Sequence, residues 1–88
     1  MAQVRLPPTL PPLFPELPRR LDVDAPTVVD AITQLDARWP GLFDRLCEHG
    51  PALRPHIHVY VDGDRADLGS VIDDRSRVDV IAAISGGS

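Results

Sequence analysis

Apolar and polar residues alternate most strictly in "HIHVYVD" at 56–62. Ile57, Val59 and Val61 fall on one side there, His58 and Tyr60 on the other. A period of two marks a strand with one buried face. Asp62-Gly63 follows and is a hairpin turn signal. The same alternation returns in "RVDVIAAI" (77–84), with Val78, Val80 and Ala82 on one face, and in "RRLDVDA" (19–25), with Leu21 and Val23. "QVRL" (3–6) can start a strand. Six of the ten prolines fall in residues 4–18, which excludes a central strand after Leu6, because proline cannot donate to a ladder.

Between these strands the period changes. In "DAPTVVDAITQLDARWPGL" (24–42), Val28, Ile32, Leu35 and Trp39 recur at helical spacing. Pro26 suits a helix start, and Thr27 followed by Asp30 resembles a capping box. Pro40-Gly41 ends the pattern. "LFDRLCEHG" (42–50) reads as a short second helix closed by Gly50, with Leu42 and Leu46 on its buried side. "SVIDDRSR" (70–77) is irregular and polar.

A helix amid four strands has to cover one face of a single mixed sheet. The first two strands pair across the proline-rich connection, and the last strand returns beside the first. The expected fold is α+β, with a mixed sheet of four to five strands on one main helix plus a short second helix. A ubiquitin-like β-grasp is one candidate among several such arrangements.

Composition narrows the function. Eighty-eight residues allow one domain with one modest core. Apolar residues make up 43% and charged residues 25%, an ordinary globular balance without a run long enough for a membrane span. The N-terminal stretch lacks the features of a signal peptide. The single Cys47 suits a reducing interior, and the expected location is cytoplasmic. A net charge of −4 gives no electrostatic support to nucleic-acid binding. All nine basic residues are arginine, so no lysine of this chain can be modified.

Several residues invite a chemical role and receive a plainer one. His56 and His58 share a strand face and His49 is near in sequence, but no cysteine cluster or third well-spaced ligand accompanies them, so no metal site is expected. Cys47 reads as a small buried apolar residue rather than a nucleophile. Asp73-Asp74 reads as a solvated turn. Trp39 reads as core or as a partly exposed helix end.

What remains is the end of the chain, "VIAAISGGS". Taken with "PTVVDAITQLDARWPGL", "IHVYVDGD" and "RVDVIAAISGG", in this order and spacing, it resembles the MoaD and ThiS sulfur-carrier family over nearly the whole length. The resemblance implies a ubiquitin-like β-grasp at 1–84 and a C-terminal tail at 85–88. It also implies a protein cosubstrate rather than an enzyme, with no catalytic side chain, no metal and no bound cofactor. An adenylating enzyme of the ubiquitin-activating type would use ATP to activate the carboxyl of Gly87. Sulfur from sulfide or a sulfurtransferase would then give a thiocarboxylate, to be passed to a biosynthetic enzyme. Gly86 would give the tail reach through a narrow channel, since glycine has no Cβ. Ile81 and Ile84 would contact the activating enzyme.

The chain departs from the family in three places. Ala82 and Ala83 stand where proline is common, the N-terminal proline cluster is dense, and Ser88 follows Gly87. Ser88 is expected to be removed by a metalloprotease before activation; a residue added at cloning is the rival explanation. Two other functions stay open: a protein modifier joined through Gly87, and an interaction module whose Gly-Gly is incidental.

Overall fold

The computed structural model describes residues 1–7, 14 and 16–82. Nine elements follow in order: β1 (Ala2–Arg5), β2 (Arg20–Val23), α1 (Val28–Arg38), α2 (Leu42–Leu46), β3 (Cys47–Glu48), β4 (Ala52–Leu53), β5 (Ile57–Val61), β6 (Asp64–Ala66) and β7 (Arg77–Ala82). Five of the strands form one mixed sheet in the order β2-β1-β7-β5-β6. β1 pairs antiparallel with β2 and parallel with β7, so the first and last long strands lie side by side in the middle. Antiparallel pairs β7–β5 and β5–β6 complete it. This is the ubiquitin-like β-grasp.

The alternation read along the chain decides which face is buried. Val4, Leu21, Ile57, Val59, Val78 and Val80 are all buried, and they join Val28, Ala31, Ile32 and Leu35 of α1 in one core. Leu35 is wholly inaccessible, as are Leu42 and Leu46 of α2. Trp39 and Val61 are half-buried and pack against the same core. Arg38 covers the outer face of Trp39, its guanidinium carbon 4.6 Å from the ring centroid.

Helix α1 begins where its polar residues can satisfy its first turn. Thr27 is extended and caps the helix, accepting from the Asp30 amide. The helix ends at Arg38, one residue short of the Trp39 cap and just before Pro40-Gly41. The β5–β6 turn is also as expected. Asp62 and Gly63 both have positive φ, 52° and 90°, which a tight hairpin requires and which Gly63 meets without a Cβ clash.

The segment 42–50 differs from the expected single helix closed by Gly50. Helix α2 stops at Leu46, and Cys47–Glu48 is a strand paired antiparallel with Ala52–Leu53. Gly50, at φ 141°, belongs to the turn of this small ribbon rather than to a helix cap. The physical reason is the buried Cys47. Its backbone is extended (φ −129°, ψ 156°), which leaves the side chain in the core and turns Glu48 and His49 outward. In the irregular segment, Ile72 is buried and its amide donates to the Pro26 carbonyl at 2.9 Å, so this loop packs against the start of α1.

Candidate docking face

The side of the sheet opposite the core carries every second residue of each strand. Strand register sets five of these side chains in a row across all five strands: Arg20 opposite Arg5, Arg5 opposite Asp79, Asp79 opposite Tyr60, and Tyr60 opposite Arg65. Cross-strand neighbours are close enough to interact. Arg5 Nη1 lies 3.5 Å from Asp79 Oδ1, an ion pair but too long for a hydrogen bond. Asp79 Oδ1 is itself cut off from solvent and accepts no hydrogen bond among the described residues. At the other end of the row, the Arg65 guanidinium carbon lies 6.0 Å from the Tyr60 ring centroid, and Arg65 Nη2 contacts His58 Nδ1 at 2.7 Å. Arginine has only donors, so Nδ1 of His58 accepts.

Ile81 sits on this outer side, opposite His58, and is 46% exposed. An isoleucine so exposed in the middle of a sheet is apolar surface without a covering partner among the described residues. Beside it runs a groove of about 720 Å³, lined by Arg5, Arg19, Arg20, Tyr60, Asp79 and Ile81. Ala82, the last described residue, also lines the groove. Of the residues singled out in the sequence, Ile81 therefore lies on an exposed face, one residue before the last described residue. Ile84, Gly86, Gly87 and Ser88 lie outside the described residues.

The other reactive side chains are placed elsewhere. Cys47 is 2% exposed, and burial pushes its thiol up to about 11, the nearby Arg54 opposing this only in part. Such a thiol is a poor nucleophile. No group of three or more His, Cys, Asp or Glu residues among those described could hold a metal ion. Asp73 accepts from the Arg75 amide at 2.8 Å, which makes Asp73-Asp74 a turn, as read from the sequence. No helix among the described residues is long and apolar enough to cross a membrane.

No protein-family model matches the chain. It is 35% identical over 72 residues to small archaeal modifier protein 3 of Haloferax volcanii, a match covering 77% of this chain and 76% of that protein. The chain belongs to the small archaeal modifier family of ubiquitin-like proteins. Its β-grasp is of the MoaD/ThiS type, as the sequence resemblance implied. Solved structures agree. The crystal structure of SAMP1 from Haloferax volcanii matches with a TM-score of 0.75 at 29% identity, covering 98% of each chain. The fold matches that of the Amycolatopsis orientalis BexX/CysO complex, with a TM-score of 0.86 at 22% identity, over 99% of this chain and all of that one.

Sequence reasoning missed the arginine side of this groove in the modifier-family chain. Arg5, Arg19 and Arg20 are remote from Asp79 in sequence and share no motif with it. The antiparallel β1–β2 register and the parallel β1–β7 register together bring Arg20, Arg5 and Asp79 side by side. The outward positions of "QVRL" and "RRLDVDA" were the available signal, but their alignment with β7 was not.

Proposed function

We propose that this protein is a sulfur carrier activated at Gly87. In the form that ends at Gly87, a carboxylate oxygen attacks the α-phosphate of ATP in an activating enzyme, releasing pyrophosphate and leaving a glycyl adenylate. Hydrosulfide then attacks the acyl carbon, AMP leaves, a proton is released, and a thiocarboxylate remains to deliver sulfur to a biosynthetic enzyme. The carrier supplies the acyl group and the surface, and the partner supplies transition-state stabilisation. Because the reacting carboxyl belongs to Gly87, Ser88 is removed first, by a protease that cuts after Gly87. Ile81 and Ile84 contact the activating enzyme, and Gly86 gives reach.

The observation that supports this reading most is the course of β7. It runs through the middle of the sheet, presents Ile81 outward, and reaches the groove rim at Ala82, five residues before Gly87. A partner seated on this face would stand five residues along the chain from Gly87. The test compares residues 1–87 and 1–88 with the ubiquitin-activating-type enzyme of the same genome, ATP and sulfide, read by intact mass. The shorter form gains sulfur in place of oxygen, and the longer form does not. An unchanged mass in both forms rejects the carrier reading.

The name of the Haloferax relative favours a second reading, in which an amine of a target protein captures the same adenylate. Isopeptide-linked adducts ending at Gly87, recovered from cells, distinguish it.

A further inference from the structure

The sheet face is not a uniform apolar surface. On a chain of net charge −4, its groove is lined by three arginines, Arg5, Arg19 and Arg20, and by one acidic residue, Asp79. Arg19 and Arg20 are exposed, and Arg20 stands directly opposite Arg5 across the β1–β2 pair. Like charges on opposed strands repel and lower stability in the free protein. That cost is offset when an anion settles between them. Asp79 tempers only one of the three, through its 3.5 Å pair with Arg5.

We propose that this groove receives an acidic, extended segment of the activating enzyme, its carboxylates held by Arg5, Arg19 and Arg20 while an apolar side chain covers Ile81. The inference rests on the carrier reading above and adds the chemistry of the partner. Two features fit an extended segment rather than a flat surface. The groove is concave, and it runs beside β1 and β7 to Ala82, the last described residue. Arginine suits the task because its planar fork binds carboxylates in pairs of hydrogen bonds. Complementary charge at the rim chiefly raises the association rate and sets specificity, and it weakens with salt.

The test is ATP–pyrophosphate exchange by the activating enzyme of the same genome, with residues 1–87 as substrate. The double variant Arg19→Glu/Arg20→Glu raises KM for the carrier at least tenfold and changes kcat less than twofold. The wild-type KM climbs with sodium chloride, and the variant's climbs less. The control pair Arg38→Glu/Arg45→Glu makes the same charge change on exposed positions of α1 and α2 and leaves KM within twofold. Arg19→Gln/Arg20→Gln, with a milder effect in the same direction, guards against a folding defect, as do equal thermal midpoints. An unchanged KM in the groove variants, or an equal rise in the control pair, overturns the groove and leaves the carrier reading standing. Absence of exchange with the wild-type chain overturns both.

Discussion

Thr27 and Asp30 cap the main helix together. The Asp30 amide donates to Thr27 Oγ1 at 3.3 Å, and Thr27 Oγ1 donates to Asp30 Oδ2 at 2.7 Å. The hydroxyl thus satisfies one orphan amide of the first turn and is itself oriented by a carboxylate that also favours the helix dipole. Thr27→Ala is expected to lower stability by about 1 kcal/mol, and Thr27→Ser to restore most of it. Urea midpoints of the three proteins decide; equal midpoints for wild type and Thr27→Ala would mean that the cap is idle.

Leu35 is a second point where sequence and packing agree. It lies on the apolar stripe of α1 and has no accessible surface. Leu35→Ala removes its contacts and leaves a cavity, at a cost of roughly 2–5 kcal/mol. A small domain has roughly 5–15 kcal/mol in total, so this variant is expected to be partly unfolded at physiological temperature. A wild-type denaturation midpoint would show that the stripe was placed wrongly.

Cys47 links stability to alkaline pH. Burial raises its folded value from 9.0 to about 11, so between those values the unfolded thiol loses its proton while the folded one keeps it. The stability this gives is complete below pH 9 and is lost as pH rises toward 11. Urea midpoints measured from pH 8 to 11 should fall in the wild type and fall less in Cys47→Ala. Native protein at pH 8 should also resist iodoacetamide until denatured, because the thiol is both buried and protonated.

Gly87 carries the chemical prediction. In a chain ending at residue 87, Gly87→Ala is expected to keep the thermal midpoint of the parent and nearly abolish ATP–pyrophosphate exchange. On the carrier reading proposed above, the tail threads a narrow channel of the activating enzyme, where an added Cβ would clash. Ordinary turnover by the alanine chain would remove the steric reason for the Gly-Gly.

Much of the fold was legible because its signals are local. Ile57, Val59 and Val61 needed only the period of two, Val28, Ile32 and Leu35 only the helical period, and Asp62-Gly63 only the backbone angles of a tight turn. The ribbon of Cys47–Glu48 and Ala52–Leu53 was not legible. A short apolar run fits a helix end or a strand equally, and burial of Cys47 settled the matter.

The docking face divides in the same way. Sequence alone placed Ile81 on the outward side of the last strand, since Val78 and Val80 had to face inward, and it supplied the Gly86-Gly87 tail with its resemblance to sulfur carriers. Only the tertiary structure joined Arg20, Arg5, Asp79, Tyr60 and Arg65 into one row and made a groove beside them. Alternation assigns each residue a face, but which residue of another strand stands opposite depends on register. Register is decided by the packing of all five strands over α1, and no short window of sequence contains that information.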